Sequence, residues 1–252
     1  MRVRRSSRVV AVVPLVAALA ALGCVAAPRA ATEQARSELP TATRTAAPAE
    51  TAAATGRPPK DGTDSLQEFR SDMATAQKVA EEYWAARLTR LGVVFEPVSQ
   101  VIPYTREGEV ECGGQPIGLN NAAYCSAGDF IAYDINWAYG AFQQIGDAFI
   151  YYLLGHEYAH AVQARLGIRK QFTIQQELQA DCMAGAYLGD SERDDELTVR
   201  ESDIAEFRRG LDVVGDEPGQ PWFAEGAHGT AEQRTDLFVT GYEDSLDSCD
   251  ID

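Results

Sequence analysis

Apolar residues recur at helical spacing in five segments of the chain, and each of these segments predicts an α-helix. Capping-box pairs mark two of the helix starts, Ser65 with Glu68 and Thr230 with Gln233. A helix that is apolar on most sides is a buried one, and the second segment has this character. The predicted helices cover, in order, residues 65–92, 140–167, 172–190, 202–214 and 230–242.

Between the first two helices the apolar period shortens. The β-rich pieces VVFEPVSQVIPY, AAYCSA and DFIAYDINW lie between positions 93 and 137 and are separated by Gly and Asn turn signals. They predict a small antiparallel sheet or hairpins. The fold class is therefore α+β and mostly helical. An edge strand of such a sheet, beside a cleft, would bind an extended peptide by strand addition, but the sequence does not say which strand is the edge.

The second helix carries HEYAH, the segment from His156 to His160. Residues four apart lie on one face of a helix, so both imidazoles reach one ion. Glu157 follows the first histidine and reaches a water bound to that ion. This H-E-x-x-H pattern is typical of zinc peptidases, in which the Glu is the general base. The alternative is a pair of core or surface histidines that bind nothing.

Glu177 and Asp181 are four residues apart on the third predicted helix, so their carboxylates share a face. Carboxylate pairs on a helix are usually solvated, which is the alternative for this pair. Here they stand among apolar residues, and buried carboxylates need partners. We expect Glu177 to be the third zinc ligand. We expect Asp181 to accept a hydrogen bond from a ligating imidazole and to fix its tautomer.

The 252 residues carry a formal net charge of −16. So acidic a chain repels phosphate backbones, which argues against nucleic-acid binding.

Residues 1–23 combine an arginine-rich start with an apolar run too short for a comfortable membrane span, and they predict a signal peptide. The sequence ALGC at 21–24 resembles a lipobox, which predicts a lipidated Cys24; plain secretion is the alternative. Residues 24–63 are rich in Ala, Thr and Pro and predict a disordered tether before a domain at 64–252.

Four cysteines remain once Cys24 carries lipid, and four cysteines allow three disulfide pairings. We predict Cys112–Cys125, because this pair closes a short loop. We predict Cys182–Cys249, because this pair ties the C-terminus to the helix of Glu177.

The chain resembles the family of bacterial "putative neutral zinc metallopeptidases" over about residues 64–252. The resemblance rests on HEYAHAVQ, ELQADCMAG, SDIAEF and HGTAEQR in that order, and on Cys-Gly and Tyr-Cys at 112–113 and 124–125. It implies a zincin-like fold, zinc held by His156, His160 and Glu177, and Glu157 as catalytic base. Many members have Gly-His-His where this chain has Ala-His-Ala at 159–161, so the ligand position is kept and the second histidine is lost.

The expected function is a zinc-dependent endopeptidase, anchored at the cell envelope, that acts on peptide or protein substrates. The alternative is a catalytically silent, zinc-containing envelope lipoprotein with a binding or structural role. The resemblance also places the HGT segment near the site. His228 is therefore expected to donate a hydrogen bond to the oxyanion that forms in catalysis. A fourth zinc ligand and a solvated surface residue are the other two interpretations of His228.

Overall fold

The computed structural model describes residues 65–251, except residues 218, 222 and 225. The predicted signal peptide, Cys24 and the predicted tether lie outside these residues. The helices are α1 (Leu66–Arg90), α2 (Ile135–Gln144), α3 (Ala148–Leu166), α4 (Thr173–Arg193), α5 (Glu201–Val214) and α6 (Ala231–Asp244). The strands are β1 (Gln100–Tyr104), β2 (Glu111–Cys112), β3 (Gln115–Pro116), β4 (Ala122–Cys125) and β5 (Phe130–Asp134).

The mostly helical α+β fold is confirmed, and the predicted caps begin two of its helices. The Ser65 hydroxyl accepts a hydrogen bond of 3.1 Å from the backbone N–H of Glu68 at the start of α1. The Thr230 hydroxyl accepts one of 3.3 Å from the N–H of Gln233 at the start of α6. Each bond satisfies an N–H that has no partner inside its helix. Both helix starts were therefore readable from local sequence alone.

The sequence predicts a small antiparallel sheet or hairpins, and the three-stranded sheet is instead mixed, because β1 pairs in parallel with β5. The strand order is β1-β5-β4, with β4 antiparallel to β5 and β1 parallel to β5. The short turn at 126–129 reverses the chain between β4 and β5. The chain from β1 to β5 instead passes through the β2–β3 hairpin and β4, and it re-enters beside β1 in the same direction. Periodicity predicts strands but not which strands pair.

Two boundaries that precede α3, the helix of the HEYAH segment, also differ from the prediction. The strand expected at DFIAYDINW ends at Asp134, whose Oδ1 accepts the N–H of Asn136 at 2.9 Å and so begins α2. The apolar stripe predicted as one helix from residue 140 is broken between α2 and α3. Gly146 lies in this break with φ 137°, and a Cβ there would lie 1.9 Å from the carboxyl carbon of Glu206. The stripe continues across the break, so periodicity alone does not reveal it.

Helix α3, which carries the HEYAH segment, lies in the centre of the fold and packs against α1, α4 and α5. Helix α4 packs most extensively against α6, and glycines permit the close approach. A Cβ on Gly185 would lie 2.0 Å from the carbonyl oxygen of Phe238, and one on Gly241 would lie 1.9 Å from that of Cys182. Only a residue without a side chain fits there. The start of α6 is thereby brought behind the acidic residues of α4.

Both predicted disulfides are present. Cys112–Cys125 links the β2–β3 hairpin to β4, and Cys182–Cys249 links α4 to the C-terminal segment. Disulfides persist in oxidising compartments, so they indicate an extracytoplasmic protein. Within residues 65–251, as far as they are described, none of the helices has the length and apolar character that crossing a membrane requires.

Candidate metal centre

Three side chains from α3 and α4 converge at one point. The Nε2 atoms of His156 and His160 are 3.1 Å apart. Oε2 of Glu177 lies 3.2 Å from Nε2 of His156, and Oε1 lies 3.4 Å from Nε2 of His160. The helical spacing of four residues places the two imidazoles on one face of α3, and α4 brings the carboxylate opposite them. The structure thus brings together the three residues expected to bind zinc.

The hydrogen bonds of the imidazoles fix their tautomers. Nδ1 of His156 lies 2.9 Å from Oδ1 of Asp181, and Nδ1 of His160 lies 2.8 Å from Oε1 of Gln163. The amide nitrogen of Gln163 donates to the carbonyl of Gln176 at 2.9 Å, so its oxygen faces the histidine. Both Nδ1 atoms therefore carry their protons towards acceptors. Both Nε2 lone pairs are left facing each other and a carboxylate, which is an arrangement that suits a cation.

The spacing of the three donor atoms fits zinc. Zinc binds imidazole nitrogen and carboxylate oxygen at about 2.0–2.2 Å, and in a tetrahedron this puts neighbouring donors about 3.3 Å apart. The three donor separations here, 3.1, 3.2 and 3.4 Å, lie close to that value. A set of two imidazoles and one carboxylate is one that catalytic zinc sites use.

The electrostatics of the centre also favour a cation. Burial acts to lower the pKa of His156, but Asp181 and Glu177 outweigh it and raise that pKa to about 10. Burial acts to raise the pKa of Glu177, but the hydrogen bonds from His156 and His160 lower it well below its usual range. The protein therefore stabilises a positive charge between these side chains, which a metal ion can supply in place of a proton.

Glu157 is 5% exposed and lies between the centre and the sheet. Its Oε2 accepts a hydrogen bond of 2.7 Å from the backbone N–H of Tyr124 in β4. The strand order places β4 at an edge of the three-stranded sheet. The edge strand beside the cleft is thus β4. It holds one oxygen of the expected general base.

Asp181 has further partners that the sequence did not predict. Arg234 of α6 approaches it with Nε 2.8 Å from Oδ2 and Nη2 3.0 Å from Oδ1, and the Tyr152 hydroxyl donates to Oδ1 at 2.8 Å. Arg234 is 3% exposed. Phe238 and Gly241 follow Arg234 at i+4 and i+7, so the three residues share the buried face of α6. This spacing is the signal in the sequence that could have identified Arg234 as buried.

His228 lies at the rim of the same cleft but outside the cluster of three converging ligands. Its Nδ1 lies 3.5 Å from Oδ1 of Asp216, and its side chain is 50% exposed. Oδ2 of Asp216 also accepts the backbone N–H groups of His228 and Gly229 at 2.8 and 2.7 Å. Asp216 therefore orients this loop, and sequence reasoning missed it because the contact spans twelve residues. The cleft has a volume of about 940 Å³, and its lining includes Tyr124, His156, Glu157, His160, Glu177 and His228.

The fold brings the two histidines of an H-E-x-x-H segment together with a carboxylate from the following helix, and these three side chains could hold a metal ion. A family model described as "Putative neutral zinc metallopeptidase" matches residues 34–251, and the chain belongs to that family. The match begins thirty residues before the domain start expected from the sequence.

Curated relatives are distant. A protein named "Uncharacterized protein YpfJ", from two strains of Escherichia coli, is 24% identical to this chain over 189 residues. The alignment covers 65% of this chain and 64% of that protein, so the chain spans less than two thirds of its relative. No solved structure matches the chain.

Proposed function

We propose that this chain is a zinc-dependent endopeptidase in which His156, His160 and Glu177 hold the zinc and Glu157 is the general base. The observation that carries this proposal is the convergence of three zinc-type donors beside a buried carboxylate. Zinc in such a site polarises a substrate carbonyl and lowers the pKa of water towards about 7. Proton transfer and the binding of the oxyanion are assigned to side chains of the protein.

The role proposed for Glu157 is to move a proton. Because Tyr124 N–H occupies Oε2, the carboxylate is held in one orientation and Oε1 is left to take the proton of the attacking water. The carboxyl group then passes this proton to the leaving amine. A structural zinc site does not require such a carboxylate, which argues against the silent-lipoprotein alternative.

His228 is proposed as the donor to the oxyanion. Its Nδ1 faces the Asp216 carboxylate at 3.5 Å. In the doubly protonated imidazole, Nδ1 donates to that carboxylate and Nε2–H is left to donate to the oxyanion. Its place outside the three-ligand cluster does not support the fourth-ligand interpretation. A donor held by a carboxylate is pre-oriented for charge that develops in the transition state.

The substrate is proposed to be an extended peptide or protein segment. Strand β4 pairs with β5 on one side only, and its residues Ala122 to Tyr124 line the cleft. Backbone groups at a sheet edge bind a peptide strand through main-chain hydrogen bonds. Such a peptide would pass directly over Glu157.

We also propose that Cys24 carries the lipid that holds the protein at the outer face of a membrane. The support is the lipobox-like sequence at 21–24 and the apolar run before it. Cys24→Ala is expected to release the protein into the medium or to leave it unprocessed. Normal processing with tight membrane association of this variant would indicate another anchor.

The enzymatic proposal is tested with a generic unfolded protein such as casein. We expect cleavage by the zinc-loaded chain, loss of cleavage with a chelator and its return with added zinc. Glu157→Gln should bind zinc and fail to cleave. Zinc binding without cleavage of casein or of a peptide library would favour the silent lipoprotein, and cleavage by Glu157→Gln would show that the base is another group.

A further inference from the structure

A buried chain of side-chain amides connects His160 to the C-terminal segment of the protein. The first member, Gln163, is 1% exposed and accepts from Nδ1 of His160 at 2.8 Å. Its nitrogen donates to Oε1 of Gln179 at 2.9 Å. The nitrogen of Gln179, which is 5% exposed, donates to the carbonyls of Cys249, at 3.0 Å, and Asp250.

Every hydrogen bond in this chain has the same direction. Each amide accepts from the metal side and donates towards the C-terminus, so each bond polarises the next. Because backbone carbonyls cannot donate, they fix the orientation of Gln179, and through it that of Gln163. The only tautomer of His160 consistent with this order has its proton on Nδ1. The Nε2 lone pair is thereby kept for a metal.

The C-terminal end of the chain is itself fixed in two ways. The disulfide to Cys182 attaches Cys249 to α4, and Nζ of Lys170 lies 2.8 Å from Oδ2 of Asp250. The carbonyls that terminate the amide chain are therefore tethered to α4. The C-terminal disulfide is far from His160 in the sequence. In the structure, only the side chains of Gln163 and Gln179 connect His160 to Cys249 through hydrogen bonds.

We propose that Gln163 and Gln179 are positioning residues that connect the disulfide-tethered C-terminal segment to His160 and set the affinity for zinc. This proposal rests on the proposed zinc centre. His156 is oriented by a carboxylate, whereas His160 is oriented by neutral amides whose geometry depends on the tethered segment. Partners of this kind typically change metal affinity by about 10–100-fold when removed.

The test is the zinc affinity of the full chain, measured by competition with a chromophoric chelator. Gln163→Met is expected to weaken binding by about 10–100-fold, because His160 loses its acceptor. Gln179→Met leaves that acceptor in place but frees its orientation, so a loss of roughly 3–10-fold is expected. Gln67→Met, at an exposed glutamine of α1, should bind zinc like the parent chain.

Gln163→Glu separates positioning from simple packing. A carboxylate at this position loses the donor to Gln179 but still accepts from Nδ1 of His160, so this variant should bind zinc more tightly than Gln163→Met. A purely structural role predicts the reverse order, because a buried charge destabilises the fold more than an apolar side chain does. Leu188→Val, buried elsewhere in α4, controls for loss of stability without change at the centre.

The outcomes distinguish this proposal from the zinc centre itself. If Gln163→Met does not fold, the comparison of Gln179→Met with the parent still decides. Two results would overturn the positioning role alone. One is a zinc affinity of Gln179→Met equal to that of the parent. The other is a zinc affinity of Gln163→Glu that is no tighter than that of a folded Gln163→Met. A parent chain that binds no zinc overturns both this role and the proposed function.

Discussion

Arg234 holds Asp181 with two hydrogen bonds directly behind the candidate metal centre, through Nε at 2.8 Å and Nη2 at 3.0 Å. Both side chains are almost completely buried. Oδ1 of the same carboxylate faces Nδ1 of His156 at 2.9 Å. The orientation of one candidate ligand therefore depends on α6, the helix furthest from it in sequence.

Arg234→Met is expected to destabilise the metal-free protein by about 3–5 kcal/mol, because it removes the guanidinium that makes two hydrogen bonds to the buried carboxylate of Asp181. Urea unfolding followed by circular dichroism measures this free energy. Arg106→Met is the matched control, since its ion pair with Glu109 is 3.8 Å long and the arginine is 80% exposed. The control should change stability by less than about 0.5 kcal/mol. Equal losses in the two variants would show that the buried pair has no special role.

The contact between α4 and α6 should not tolerate a methyl group. Gly241→Ala places a Cβ 1.9 Å from the carbonyl oxygen of Cys182, so the helices must separate, at a cost of about 1–3 kcal/mol or more. Gly140→Ala in α2 meets nothing within 4 Å and should be neutral or stabilising by up to about 1 kcal/mol. Thermal unfolding of the two variants checks this contrast. An unchanged midpoint in Gly241→Ala would contradict the close packing.

Glu206 makes the protein less stable as the pH rises. Burial raises the pKa of Glu206 to about 7 from 4.5; the N–H of Ala148 opposes the shift, and Asp147 and Asp203 add to it. Because the pKa is higher in the folded state than in the unfolded state, the folded state binds this proton more tightly. The contribution of Glu206 to the free energy of unfolding is therefore most favourable below about pH 4.5 and is lost as the pH rises through about 7.

Replacing this carboxyl with an amide removes the titration. Glu206→Gln is expected to have a higher melting temperature than the parent at pH 8. Its melting temperature should also change less with pH between about pH 5 and 8 than that of the parent. Glu201→Gln, an exposed position of the same helix, is the control and should leave the dependence unchanged. A Glu206→Gln profile parallel to that of the parent would contradict the raised pKa.

His228→Ala is expected to keep zinc and to lower kcat by about 10²–10³, the usual cost of losing one oxyanion donor. Asp216→Asn should lower kcat less, because it weakens the orientation of the imidazole and leaves the donor in place. Zinc content and steady-state kinetics on one peptide substrate give both quantities. Loss of zinc in His228→Ala would make it a ligand, and unchanged kinetics would leave it a surface residue.

Local patterns predicted the parts of the site that a single helix determines. His156 and His160 share a face of α3 because they are four residues apart, and the caps at Ser65 and Thr230 depend on neighbours three residues away. Such features need no knowledge of the fold. The predicted disulfide Cys182–Cys249 spans 67 residues and rests on a different argument, that the cysteine near the C-terminus ties this end of the chain to the helix of Glu177.

The parts that the sequence did not predict depend on tertiary contacts. Arg234 lies 53 residues from Asp181, and Gln179 lies 70 residues from Cys249. No periodicity or spacing rule links residues so far apart. The parallel pairing of β1 with β5 is missed for the same reason, since strand propensity contains no information about partners. The break at Gly146 is missed because the apolar stripe continues across it.

The most direct test of the zinc centre is metal analysis of the purified chain and two variants by inductively coupled plasma mass spectrometry. We expect one zinc per chain in the parent and in Glu157→Gln, because the base is not a ligand. Glu177→Ala should lose its zinc on dialysis against a weak chelator, because two imidazoles alone hold zinc far less tightly than three ligands. Full zinc occupancy in Glu177→Ala under these conditions would contradict the assignment of Glu177 as the third ligand.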